Sequence, residues 1–287
     1  MYEMVSDSFK ELNSFITKEH DLRICILDNN NVQFCTQHEK YFPVDKIYGY
    51  YDLILVPGWV YAEIAQSEHR LQYISSIPQQ LLYLDEETDY LPLVNYHDLK
   101  LMKVFANASS PGSKPHRYLK KQIQEAESGR VDIDDEWIGN YYKNGFDSKE
   151  EGIIKKNAGE TSILALAFLL VHHYGNKIKQ ISISTSDFAV VEIKKKIMDY
   201  SSKHNLLNVP TINPISFLST DVLLARAFRM GMIGETELIY LRKSTYRKRV
   251  ICIVRNNDST VVPVDTVMET EDFLQLLKGN ESYDIIF

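Results

Sequence analysis

Residues 158–187 read AGETSILALAFLLVHHYGNKIKQISISTSD, and they decide the fold. Gly159 and Glu160 open a helix over 160–174, whose run from Ile163 to Val171 is small or apolar without interruption. An acid in the first turn suits the positive end of the helix dipole. Gly175 and Asn176 stop the helix, and the ISIS alternation at 181–184 makes a short strand. A further helix is expected from about Asp187. Helix, strand, helix in this order is an α/β arrangement built on a parallel sheet, in which sites gather at the carboxyl ends of strands. Asp187 falls just past such an end.

Outward from this stretch, the same grammar repeats. Residues 4–18 place Met4, Val5, Phe9, Leu12, Phe15 and Ile16 on one helical face. RICILDNNNVQF follows, with a buried strand through Leu27, ended by Asp28 and three asparagines. That run is good turn chemistry, because Asp and Asn side chains bond nearby backbone amides. In YYDLILVPGWVYAEIAQS (50–67) a second strand over Leu53 to Val56 breaks at Pro57-Gly58, and a helix from about Trp59 carries Glu63 in its second turn. A third strand is expected at Gln80–Leu84, before the acidic turn DEETD at 85–89.

Residues 90–152 lose this regularity and read as a helical insertion. A helix near 96–107 ends at the loop SSPGSKP (109–115). A basic helix with His116, Arg117, Lys120 and Lys121 follows, and Asp132, Asp134, Asp135 and Glu136 cap another from about Trp137. After Asp187, the reading gives a helix, a last strand at 208–212, helices at 215–230 and 234–243, strands at 249–254 and 259–264, and a helix at 270–278. The domains expected are thus 1–215, with the insertion, and an appended unit of helices and small α+β structure over 216–287. Arg242, Lys243, Arg247, Lys248 and Arg249 form a basic run that reads equally as a solvated helix end or as a phosphate contact.

Composition bounds the function classes. At 287 residues, 44% hydrophobic and 25% charged, the chain has the make-up of a soluble globular protein with a sizeable core. No run approaches the ~18 apolar residues of a membrane span. Three cysteines, odd in number and without metal-ligand spacing, fit reduced thiols in a cytoplasm. The net charge of −7 argues against indiscriminate coating of nucleic acid, though not against a nuclease, whose metal site is itself acidic.

Four acids stand out by their joint contexts: Asp28 in LDNN, Glu63 in VPGWVYAEI, Glu160 in AGETSILALA, and Asp187 in STSD. Their order and surroundings resemble the PIN-domain nucleases. In that family a first strand ends in a hydrophobic-Asp-Thr/Asn turn. A Val-Pro motif leads to Glu-Ile/Leu, Gly-Glu opens an Ala/Ile/Leu-rich helix, and Thr-x-Asp follows a strand. The resemblance covers roughly residues 20–215. Asn replaces the usual Thr after Asp28, no fifth acid directly follows Asp187, and the insertion separates Glu63 from Glu160.

The resemblance implies a three-layer α/β/α fold of PIN type and a Mg²⁺- or Mn²⁺-dependent endoribonuclease, of the toxin or defence kind found among such proteins. Asp28 and Asp187 would be direct ligands, and Glu63 and Glu160 ligands or orienters of ligands. Four converging carboxylates repel one another unless cations sit among them, and a hard divalent ion prefers oxygen donors. Asn29, Asn30, Thr185 and Ser186 are placed to hydrogen-bond water or phosphate. Lys114, Arg117, Lys120, Lys121, Arg247, Lys248 and Arg249 are candidates for holding the nucleic-acid backbone. Two alternatives remain open: a catalytically silent PIN-like module that binds RNA or protein, and a structure-selective DNA nuclease. A protein inhibitor or regulatory partner and a homo-oligomer are both compatible with this reading; a membrane is not.

Overall fold

The computed structural model describes residues 7–149, 154–208, 210, 214–244, 249–255, 261–279 and 283–287. The chain begins with α1 (Asp7–Lys18), β1 (Leu22–Leu27), α2 (Asn29–Gln37) and α3 (Val44–Tyr48). Next come β2 (Leu53–Pro57), α4 (Gly58–Ile64), α5 (Glu68–Ser75) and β3 (Gln80–Leu84). Three helices, α6 (Asp98–Ala108), α7 (Lys114–Glu127) and α8 (Trp137–Gly145), stand between β3 and α9 (Ala158–Tyr174). Then follow β4 (Ile178–Ser184), α10 (Ala189–His204), β5 (Ile215–Phe217), α11 (Thr220–Arg229) and α12 (Glu235–Ser244). The last elements are β6 (Arg249–Arg255), β7 (Val261–Val267), α13 (Thr270–Lys278) and β8 (Tyr283–Ile285).

The first five strands form one all-parallel sheet in the order β3-β2-β1-β4-β5. Helices on its faces complete an α/β fold of the three-layer kind. β1 is buried except at Arg23, as a strand covered on both faces must be. Cys25 lies near Cys35 of α2 and Arg226 of α11, while α9 packs across β1, β2 and β4. α9 is buried at every position except Glu160, His172 and His173, which explains its uninterrupted small or apolar run from Ile163 to Val171. His172 pairs with Lys100 at 2.8 Å and accepts from the Asn208 amide, so this histidine is a packing residue.

Chain order reverses between β1 and β4, and this switch point opens at the carboxyl ends of the strands, where ligands of open α/β sheets bind. A second, antiparallel sheet has the order β7-β6-β8. Phe287 at its end packs edge-on against Phe188 and Phe217, beside the parallel sheet. No helix among the described residues is long and apolar enough to cross a membrane. The three cysteines are free and buried.

Three expectations need correction. The asparagine run after Asp28 is the first turn of α2 and not a loop, because Asn31 is fully buried and donates to the Leu218 carbonyl and to Ser184 Oγ. The last strand lies at 215–217, beyond Pro214; of the expected 208–212, Asn208 and Pro210 are not in a strand, and 209, 211 and 212 lie outside the described residues. Ile215 to Phe217 therefore belong to a strand and not to the helix expected from 215. Arg242 is neither a solvated helix end nor a phosphate contact, since it is buried against Asp221.

Candidate functional site

Asp28 follows β1 directly. Its amide donates to the Ser184 carbonyl at 3.0 Å, continuing the β1–β4 ladder and bringing Asp28 beside Thr185. Thr185 Oγ1 donates to Asp28 Oδ2 at 2.6 Å and accepts from the Asp187 amide at 3.1 Å, so one hydroxyl sets both aspartates. Asp187 Oδ1 in turn accepts the Ala189 amide at the start of α10. Asn30 Nδ2 adds a second, longer bond to Asp28 Oδ2 at 3.3 Å. Ser186 is turned the other way, toward Asn31 and Thr220.

The two glutamates arrive on helices that start at the same edge. α4 begins immediately after β2 and presents Glu63, while Glu160 sits in the first turn of α9. The helices meet at Gly159, where a Cβ would come within 3.2 Å of Val60 Cγ2. Asn29 Nδ2 donates to Glu63 Oε2 at 3.3 Å and receives Arg70 on its own oxygen. Glu63 Oε1 pairs with Lys149 Nζ at 3.0 Å, although the Glu63 side chain is only 12% exposed.

The acids act on one another electrostatically. Burial pushes Asp28 up to about 7, Glu160 adds to the rise, the Thr185 hydroxyl opposes it, and Glu63 and Asp187 raise it further. Burial likewise raises Glu160, with Asp187 and Glu63 adding to the rise and Lys149 countering it. Among the described residues no group of three or more His, Cys, Asp or Glu side chains is arranged to hold a metal ion as it stands. The donor chemistry nevertheless fits a hard divalent ion: every candidate is a carboxylate, and Asp28 is buried under the repulsion of the other three.

Beside Glu160 and Asp187 opens a cleft of about 280 Å³, walled by α9 and α10 on one side and by Ser110, Ser113 and Lys114 of the insertion on the other. Lys114 is paired with Asp147 at 3.1 Å across residues that both line it. Arg117, Lys120 and Lys121 stand exposed along α7, whose Leu119 and Ile123 face inward. Arg249 is engaged elsewhere: it forms two bonds to Asp265, at 2.9 and 2.7 Å, and lies 3.6 Å over the Phe188 ring. Arg247 and Lys248 lie outside the described residues. Two aromatic residues of the insertion are committed to packing, Tyr141 fully buried against Phe146 and Trp137 donating to Asp98 at 2.9 Å.

Sequence reasoning missed Arg70 and Lys149, two cations beside Glu63. Neither has a local motif; Arg70 reaches the site through Asn29, 41 positions earlier, and Lys149 meets Glu63 across 86 positions. Compared with known proteins, the chain matches no family model, no curated protein and no solved structure.

Proposed function

We propose that the chain is a metal-dependent phosphodiester hydrolase, an endoribonuclease working through Asp28, Glu63, Glu160 and Asp187. The observation that carries this reading is the gathering of four carboxylates at the switch point, where the Thr185 hydroxyl bonds Asp28 and the Asp187 amide, Asn29 bonds Glu63, and Glu160 opens the adjoining helix. A fold gains nothing from confining like charges in low dielectric, whereas a cation site requires it. The choice of RNA rests on the resemblance of the four motifs to PIN-domain nucleases, as does the choice of Mg²⁺ or Mn²⁺.

A bound divalent ion would supply an activated water and charge stabilisation at the phosphate. The chain's own residues do the rest. Thr185 fixes the rotamer of Asp28 through its 2.6 Å bond, Asp28 and Asp187 form the floor, and Glu63 and Glu160 close the site from the adjoining helices. Lys114 at the cleft and the exposed cations of α7 offer sequence-independent contacts to phosphates.

Lys149 holds Glu63 in the meantime, so it competes with any ion that needs that carboxylate. A partly exposed pair of this kind contributes up to about 1 kcal/mol. Lys149→Gln is therefore expected to tighten Mn²⁺ binding, by up to about fivefold in a calorimetric titration. Weaker binding in that variant would show that Lys149 does not compete.

The reading is tested by incubating the full chain with matched RNA and DNA strands under Mn²⁺, Mg²⁺ and EDTA, beside Asp187→Asn. Metal-dependent cutting of RNA that vanishes in the variant is expected. Activity that survives EDTA, or full activity in Asp187→Asn, would overturn it. Preferential cutting of DNA would keep the site and change the substrate, because only a contact to the 2′-hydroxyl separates the two strands at one site.

A further inference from the structure

Glu86 lies in the acidic turn after β3, yet its side chain is fully buried. Its Oε1 accepts two hydrogen bonds, from the Trp59 amide at 3.0 Å and from Ser162 Oγ at 2.6 Å. The Trp59 amide is one of the orphan donors of the first turn of α4, which has no side-chain cap of its own. Ser162 belongs to the first turns of α9, two residues from Glu160, and is also bonded to the Tyr90 hydroxyl at 2.8 Å. One carboxyl oxygen thus joins the helix that carries Glu63 to the helix that carries Glu160. The Trp59 ring, meanwhile, packs among Phe105, Tyr141, Tyr142 and Phe146, so the insertion is registered against the same residue.

The other oxygen, Oε2, has no hydrogen-bond partner among the described residues. It occupies the space left by Gly58: a Cβ there would stand 2.6 Å from it. Burial raises the Glu86 pKa to about 8, so the group is largely neutral at pH 7 and adds little negative charge behind the four acids.

We infer that Glu86 is a positioning residue: it fixes the spacing of Glu63 and Glu160 by tying the first turns of α4 and α9 to one point. Its effect on catalysis rests on the nuclease reading; the tie itself does not. The experiment compares Glu86→Leu, Glu86→Gln and Ser162→Ala with Leu12→Ala, a buried α1 substitution that takes no part in these hydrogen bonds and serves as the stability control. Each full-length variant is titrated with Mn²⁺, assayed for kcat and KM, and followed by amide hydrogen exchange. Glu86→Leu is expected to weaken Mn²⁺ binding about tenfold or more and to lower kcat more than it raises KM, as loss of a group that orients ligands does. Exchange should rise together in the first turns of α4 and α9. Glu86→Gln keeps an acceptor oxygen and should retain near-normal affinity, and Ser162→Ala should show a smaller loss. If Glu86→Leu does not fold, Ser162→Ala carries the test. Mn²⁺ affinity in Glu86→Leu and Ser162→Ala no weaker than in Leu12→Ala would overturn the inference. If the unaltered chain neither binds Mn²⁺ nor cuts RNA, the nuclease reading falls, and hydrogen exchange alone then decides the tie: joint loss of protection upholds it, independent or unchanged protection overturns it.

Discussion

Asp28→Asn is expected to lower turnover by orders of magnitude while making the metal-free protein more stable at pH 8. The two effects have one cause. Asp28 is 3% exposed, and this burial, aided by the repulsion of Glu160, Glu63 and Asp187 and opposed by the Thr185 hydroxyl, raises its pKa to about 7 in the folded chain. An unfolded aspartate titrates near 4. Between roughly pH 4 and 7 the native state therefore binds more protons than the unfolded state, and stability falls as pH rises through that window. Asparagine removes the charge and keeps an oxygen for the Thr185 hydroxyl, so Asp28's share of the slope is lost while that of the raised Glu160 and Glu86 remains. At pH 8 in EDTA the gain should be on the order of 2 kcal/mol, or about 5 °C in melting temperature for a chain of this size. Mn²⁺ should stabilise the unaltered protein and leave the variant's melting temperature almost unmoved, since an ion that binds only the native state stabilises it by mass action. Turnover should fall by about 10³-fold, as expected when several kcal/mol of stabilisation at the phosphate are lost. A variant that melts lower than the unaltered chain in EDTA at pH 8 would show that the Asp28 charge is not a net burden on the folded chain.

The parts of this site that local chemistry specifies were legible in the sequence, and the parts made by distant contacts were not. Strands through Leu27 and Pro57 announce themselves because a parallel strand buried on both faces reads as a near-continuous apolar run, and the strand through Ser184 does so by its Ile/Ser alternation. The acid placed just after each strand, or in the first turns of the helix that follows, is then readable by position. Asn31 shows the limit. Its neighbours suggest a turn, but its burial against Ser184 and Leu218 gives its amide partners that only the folded chain provides, and the run becomes helix. Glu86 was hidden in the same way among the other acids of the turn at 85–89. The discriminating signal was its place: an acid two residues past a strand end, facing a Pro-Gly break whose glycine leaves room for a carboxyl. Lys149 gave no signal at all, since the insertion that carries it has no fixed relation in sequence to Glu63.

The basic run that begins at Arg242 is the clearest case of a charge whose role changes once the chain is folded, and it supports the largest expected loss of stability. Asp221 in the first turn of α11 and Arg242 in the last turn of α12 are 0% and 1% exposed and face each other through two contacts of 3.3 Å. The guanidinium also lies 4.3 Å over the ring of Phe273 in α13, so one side chain gathers three helices. Arg242→Met takes the facing cation away from a carboxylate in the interior and should cost about 3–5 kcal/mol in urea denaturation. The pair itself contributes far less than that, because both partners lose their hydration on folding. Asp221→Leu with Arg242→Met should therefore recover most of the loss, and equal instability of the single and double variants would show that packing, not charge, is responsible. The consequence reaches the acids. Thr220, next to Asp221, is bonded to Ser186 and Asn31, and Ser186 adjoins Asp187. An α11 released from Arg242 loosens the backbone that presents Asp187, so the single variant should lose turnover as well as stability, and the double variant should regain both.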